Sequence, residues 1–329
     1  MFVTCTQDEA QSVLQGLKHL ALIHPQHRLV PLDRMVLEAA AQLAFDPPLP
    51  GVDFDTLEPI GPEQLAARVS DPAVRETAAA LCAILALTEG ELDEARLREA
   101  VRFNHALGQR AAYVHDLLEL ARGHQRWVQA DMIRRNLDTF PGMAADMEVH
   151  GAYPYTGTPE DQALAARYIA LGEQPVGTFG RAYHDHFREH GFGFPGEVGA
   201  LTEYFAAPHD SIHVLSGYGT STQGELLVSA FTAGMHQPDA MAAHILPTLL
   251  EWQVGLDLSF AVAPEQGWLD PHKYLVAIDR GRRSTGDVLD GSWDLFAQAG
   301  RDLEALRTEL GITPLDPADA GIGIEPHGR

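Results

Sequence analysis

The sequence predicts an all-α fold made of two helical bundles, and three observations support this prediction. Apolar residues recur three or four positions apart in almost every apolar segment, which is the spacing of one helix face. The strict alternation that marks a half-buried strand is nearly absent. Helix-starting and helix-ending residues bound most of these segments. The chain has 329 residues, of which 45% are hydrophobic, so it can enclose a sizeable core.

The first half of the chain is expected to be helical throughout. Its first helix follows a cap-like Thr6 and carries acidic residues in its first turn. Pro31 suits the first turn of the second helix, and Gly90 and Gly108 suit the ends of two later ones. The predicted helical segments are 6–24, 31–45, 71–90, 91–108, 109–123 and 124–140, with a proline-rich loop at 46–62.

The second half resumes the helical pattern after an interruption. Residues 139–158 are rich in Gly, Pro and Thr, so we expect a domain boundary there. A long apolar helix is predicted at 238–263, with a kink at Pro247. Further helices are expected at 159–173, 177–191 and 291–312. The predicted domains are residues 1–140 and 141–315, followed by a flexible tail at 316–329.

Composition excludes some classes of partner. The formal net charge of −23 repels phosphate backbones, so nucleic acid is not expected as a partner. Neither a secretion signal nor an apolar stretch that could span a bilayer is visible. The two cysteines, Cys5 and Cys82, form no metal or redox motif and are expected to be reduced. These features predict a cytoplasmic protein.

The segment HDSIHVLSGYGTSTQGE, residues 209–225, carries the candidate metal site. His209 and His213 are four residues apart, which places both imidazoles on one face of a helix. Asp210 lies toward the edge of that face, and a returning helix can bring Glu225 beside the pair. Two imidazoles and one or two carboxylates suit Zn²⁺ or Fe²⁺ and leave an open position for water or a substrate oxygen. Either carboxylate could instead move a proton, so Asp210 and Glu225 are also the candidate catalytic residues.

The same segment predicts how the two helices are joined. Pro208 suits the start of the first helix, and the turn-rich run after Gly217 suits its end. Thr222 is expected to cap the second helix.

Chance pairing of histidines is the alternative. The chain contains 16 histidines, so some pairs four residues apart occur without any function. The group His184, His186 and His190 is interpreted as the polar face of a helix, with contacts to the metal site as the alternative. His244, in the long apolar helix, is interpreted as a core histidine, although this helix could instead line a hydrophobic tunnel.

Three ordered motifs resemble the coenzyme Q biosynthesis Coq-four family. His209, Asp210, His213 and Glu225 match its signature of His-Asp, two residues, His, eleven residues and Glu. PVGTFGRAYHDHF at 175–187 resembles an upstream family segment, and LEALRTELGI, near the carboxyl end, resembles its last motif. The run LTEYFAAPHD lacks the arginine that family members commonly carry before the His-Asp pair.

The resemblance implies an all-helical domain whose four signature residues bind a divalent metal, zinc in preference to iron. It also implies action on a prenylated quinone precursor, through decarboxylation coupled to hydroxylation at ring carbon C1. The expected partners are a hydrophobic small molecule or prenyl lipid, peripheral contact with the inner face of the membrane, and a second copy of the chain in a homodimer.

Two other functions remain open, and the first half has a separate resemblance. The metal could be structural in a non-catalytic lipid-binding scaffold. The site could also belong to a metallohydrolase, although Asp210 is one methylene shorter than the usual catalytic Glu. Residues 10–110 resemble TerB-like tellurite-resistance domains, on the basis of the helix junction ALTEGELDEARLREA and the helix PLDRMVLEAAAQLAF.

Overall fold

The computed structural model describes residues 3–24, 27–150, 159–258 and 263–321. Within these ranges the predicted all-α fold is confirmed, since the only sheet is a parallel pair of two-residue strands, β1 (Val3–Thr4) and β2 (Phe45–Asp46). No described helix is long and apolar enough to cross a membrane.

Eight α-helices lie among the described residues up to 150, and local capping explains the starts of some of them. Thr6 and Glu9 form a capping box at the first helix, and the Asp71 side chain caps the fourth through the amide of Ala73. These helices are α1 (Gln7–Ala21), α2 (Pro31–Leu43), α3 (Pro62–Arg68), α4 (Pro72–Leu87), α5 (Glu94–Ala106), α6 (Ala112–Ala121), α7 (Gln125–Thr139) and α8 (Met143–His150).

Eight further α-helices follow, together with a 3₁₀ turn at Ala170–Glu173 and a π-helical segment at Met241–Ile245. They are α9 (Gln162–Ile169), α10 (Phe179–His190), α11 (Glu203–Ser216), α12 (Thr222–Met235), α13 (Leu246–Trp252), α14 (Pro271–Arg282), α15 (Leu295–Gln298) and α16 (Leu303–Glu309).

The helix predicted over 291–312 is two short helices, α15 and α16, with a break between them. Three helix boundaries also differ from those predicted. Pro208 lies inside α11 and does not start it, because the loss of one backbone hydrogen bond is tolerated in a helix held by its neighbours. Ser221, one residue before Thr222, caps α12, and its hydroxyl accepts from the amide of Gly224. The helix predicted over 238–263 is a π-helical segment followed by α13, and it ends at Trp252.

The ending at Trp252 has a tertiary cause. The side chain of Gln253 donates to the carbonyl of Thr88 and accepts from the amide of Leu269 at 2.8 Å. Gly255 then adopts a positive φ of 86°, which leads the chain out of the helix. Residues 259–262 of the predicted helix lie outside the described residues.

A continuous cluster of buried apolar side chains includes helices from both predicted domains. Helix α2 packs against α14, and α4 contacts α13. The boundary between 140 and 141 stays a prediction, and residues 151–158 of the boundary segment lie outside the described residues. Of the predicted tail, residues 316–321 are described, and the carbonyl of Ala320 accepts from Lys273 Nζ at 3.0 Å.

Helices α12 and α14 approach each other closely. A Cβ placed on Gly281 would lie 1.9 Å from the carbonyl oxygen of Phe231, and one on Gly234 would lie 2.1 Å from that of Ile278. The two backbones are therefore in direct contact, and α12, which carries Glu225, is fixed by glycines on both helices.

Candidate metal centre

Helices α11 and α12 bring His209, His213 and Glu225 together. Gly217, at φ 84°, ends α11 in the left-handed conformation, and the short loop to Ser221 lets α12 begin beside it. The sequence placed Glu225 in the first turn of this second helix, where the amino-terminal dipole favours a negative charge.

These three residues, called the His–His–Glu triad below, present their ligand atoms to one another. His209 Nε2 lies 3.2 Å from His213 Nε2 and 3.4 Å from Glu225 Oε2, and His213 Nε2 lies 3.3 Å from that same oxygen. In a tetrahedral site with bonds of about 2.0–2.1 Å, neighbouring ligand atoms lie about 3.3 Å apart. The donor set and its spacing therefore fit one tetrahedral ion, with a fourth position left for another ligand.

A backbone contact fixes the orientation of the buried His213. Its Nδ1 lies 3.0 Å from the carbonyl oxygen of Tyr218 in the connecting loop. Because a carbonyl only accepts, Nδ1 carries a hydrogen, and Nε2 is the ring nitrogen that faces the other two residues of the triad. Such a partner is the usual support of a metal-binding imidazole.

The triad is electrostatically coupled. Burial lowers the pKa of His213, but Glu225 outweighs it and raises that pKa to about 9. Burial raises the pKa of Glu225, but His213 and His209 outweigh it and hold the pKa well below its usual range. The carboxylate is therefore ionised and available as a ligand at neutral pH.

Asp210 is the predicted site residue that does not join the triad. Its Oδ1 lies 3.0 Å from Nε2 of His186, a residue of α10, and the carboxylate is almost fully buried. The ring of His186 also stacks on that of His213, with 5.4 Å between ring centroids. His186, interpreted from the sequence as part of a polar helix face, thus contacts both Asp210 and a triad residue.

The triad opens onto a cavity of about 480 Å³, called the site cavity below. His209, Asp210 and Glu225 lie on its wall, and most of the remaining lining is apolar. The other described residues that line it are Phe140, Phe187, Gly191, Phe192, Gly193, Gly199, Ala200, Leu201, Phe205, Ile212, Ser229, Thr232, Ala243, His244, Pro247, Thr248, Glu251 and Trp252.

Two residues of this site had only weak signals in the sequence. His186 belongs to the group His184, His186 and His190, for which contacts with the metal site were only the alternative interpretation. His244 is 5% exposed, as expected of a core histidine, but it also lines the site cavity. The π-helical geometry that carries it has no simple sequence signal.

Comparison of the chain with family models, curated proteins and solved structures finds no match. The resemblances to the Coq-four and TerB-like families therefore stay predictions that rest on the motifs.

Proposed function

We propose that this protein binds a divalent metal, zinc in preference to iron, at His209, His213 and Glu225, and acts there on a hydrophobic phenolic or carboxylic small molecule. The observation that carries the proposal is that the triad faces a largely apolar cavity. The ligand separations of 3.2–3.4 Å support zinc. An octahedral ion with bonds of about 2.1 Å would hold adjacent ligands about 3.0 Å apart.

The open position favours an enzyme over a structural metal site. Structural zinc sites are closed by four protein ligands, whereas catalytic sites have three and leave the fourth position to water or substrate. Here three protein groups converge, and the fourth predicted ligand, Asp210, pairs with His186. A lipid-binding scaffold would use the same cavity, but it would not need a coordination position open to it.

The specific reaction we propose is decarboxylation at C1 of a prenylated hydroxybenzoate-type ring. The bond between the ring carbon and the carboxyl breaks, carbon dioxide leaves, and a proton takes its place on the ring. A metal held by the triad would supply a Lewis acid for a substrate oxygen. Asp210, paired with His186 and placed at the cavity wall, is the group we propose to hold and deliver the proton.

Metal analysis of the purified protein tests the site. Wild type should bind about one zinc per chain, and His213→Ala and Glu225→Ala should each weaken binding at least tenfold, because each removes a ligand. The exposed His272→Ala is the matched control and should bind like wild type. Wild type that holds no zinc after loading, or triad variants that bind zinc as tightly as the control, would contradict the proposed metal site.

The substrate class has its own test. Small molecules extracted from the purified protein should include a prenyl lipid or a hydrophobic phenol, detected by mass spectrometry. A Leu201→Asp variant, which places a charge on the cavity wall, should lose them and still bind zinc. A water-soluble phosphate ester in their place would contradict the proposed substrate.

A further inference from the structure

A second polar group of residues lines the site cavity away from the triad. Ser229 lies four residues after Glu225 on α12, so its side chain is one helical turn, about 6 Å, farther along the same face. Its hydroxyl donates to the carbonyl of His244 at 2.7 Å, which places the π-helical segment beside this turn. Thr248 and Glu251 of α13 line the cavity as well.

His244 has an unused hydrogen-bonding atom at this point. The residue is 5% exposed, and among the described residues its Nε2 has no hydrogen-bond partner. Burial lowers the pKa of His244 to about 3, so the ring is neutral and holds one donor and one acceptor. An unpaired polar atom in a buried position is costly unless a ligand or water pairs with it.

The neighbouring hydroxyl groups determine which chemical groups of a ligand can bind at this end of the cavity. Ser229 and Thr248 donate to the carbonyl of His244, and Thr232 donates to that of Val228 at 2.7 Å, so these side chains can only accept a further hydrogen bond. Among the residues described as lining the cavity there is no Lys or Arg. A neutral group with a hydrogen to donate therefore fits this end, and a carboxylate does not.

We propose that His244 is a specificity-determining residue that hydrogen-bonds a hydroxyl group of the ligand, one aromatic ring away from the oxygen that reaches the triad. The inference rests on the proposed function, because it needs a ligand anchored at the metal. The hydrogen bond to His244 would set the orientation of that ligand. Its anionic oxygen would lie at the triad, and its hydroxyl group would lie between His244 and the accepting side-chain hydroxyls. An unsubstituted ring would leave the His244 atom unpaired.

Binding of five probes to the zinc-loaded protein tests this proposal. Benzohydroxamate, whose head group chelates zinc, is compared with derivatives carrying a hydroxyl or a methyl group of similar size at the 3- or 4-position. Wild type should bind one hydroxylated isomer about 3- to 10-fold more tightly than its methyl analogue, as expected for one hydrogen bond. His244→Phe should lose this preference and retain its affinity for the methyl probe.

A second variant separates binding from folding. His244→Gln retains hydrogen-bonding capacity and should recover part of the preference, while circular dichroism and zinc content confirm that both variants are folded. A preference that persists in His244→Phe, or methyl and hydroxyl probes that bind wild type equally, would overturn the role of His244. Failure of all probes to bind zinc-loaded wild type would overturn the proposed function itself.

Discussion

At the scale of single residues, a short loop fixes the orientation of one imidazole of the triad. The carbonyl of Tyr218 accepts the hydrogen of His213 Nδ1, so Nε2 faces His209 and Glu225. His209 lacks such a described partner, but its ring stacks on Phe205 with 4.7 Å between centroids. One imidazole is therefore positioned by a hydrogen bond and the other by an aromatic contact.

His244 should make the apo protein sensitive to acid. Burial and the neighbouring His236 and His209 lower its folded-state pKa to about 3, whereas the unfolded chain takes up this proton below about 6.5. The contribution to stability is therefore complete above pH 6.5 and is lost as pH falls toward 3. Between pH 7 and pH 5 the loss should be about 2 kcal/mol.

Urea unfolding of wild type and His244→Leu at these two pH values measures this effect. The variant cannot take up the proton. Wild type should therefore lose more unfolding free energy than the variant between pH 7 and pH 5. Parallel pH profiles for the two proteins would show that His244 is not buried in the neutral form.

At the scale of helices, the connection between α11 and α12 controls the site. Gly217 adopts φ 84°, and a residue with a side chain in this conformation destabilises the fold by about 1–2 kcal/mol. Gly217→Ala should therefore shift the loop that carries Tyr218 and weaken zinc binding severalfold. Isothermal titration provides the measurement.

Gly108→Ala is the matched control for this helix end. Gly108 has a similar φ of 83° and nothing within 4 Å, so its substitution should cost comparable stability. It lies away from the triad and should leave zinc affinity unchanged. Equal affinities in the two variants would mean that the loop does not position His213.

The contact between α12 and α14 gives a second prediction about helices. Because a Cβ on Gly281 would lie 1.9 Å from the carbonyl of Phe231, Gly281→Ala must push the helices apart. We expect a loss of at least about 1–3 kcal/mol in unfolding free energy, measured by urea denaturation. Gly61→Ala, where nothing lies within 4 Å, should cost less, because only the preference for glycine at the start of α3 is lost. A Gly281→Ala protein as stable as the Gly61→Ala control would disprove the close contact.

Helix existence could be predicted from sequence, whereas the partners of side chains could not. Periodicity and caps identify α1, and helical spacing places His209 beside His213, because both depend on neighbours in the chain. The pairing of His186 with Asp210 depends on how α10 packs on α11, which no local pattern specifies. Trp252 ends its helix because the next residue bonds to Thr88.

At the scale of the whole molecule, distant segments converge on the end of α11 and the loop to α12. The buried Arg280 of α14 donates from Nη2 to the carbonyl of Ser216 at 2.9 Å and to that of Thr313 at 2.7 Å. Arg307 donates to the carbonyl of Leu215 at 2.9 Å. The carboxyl-terminal segment and α14 thereby satisfy carbonyls at the end of α11 that would otherwise lack partners.

The first half contributes to the same assembly through the packing of α2 on α14. Since α14 also contacts α12, a loss of structure in the first half removes support from the helix that carries Glu225. We therefore expect the two halves to unfold together, in one cooperative transition. Two independent domains would instead melt separately.

Two optical signals can test this cooperativity in apo protein. Circular dichroism reports on helices of both halves, whereas three of the four tryptophans, Trp252, Trp268 and Trp293, report on the second. The urea midpoints from the two signals should coincide within about 0.2 M and follow a single transition. Leu81→Ala, which opens a cavity in α4, should lower both midpoints equally and cost about 2–5 kcal/mol. A fluorescence midpoint that does not move with this substitution would show that the second half, with its His–His–Glu triad, is stable without the first.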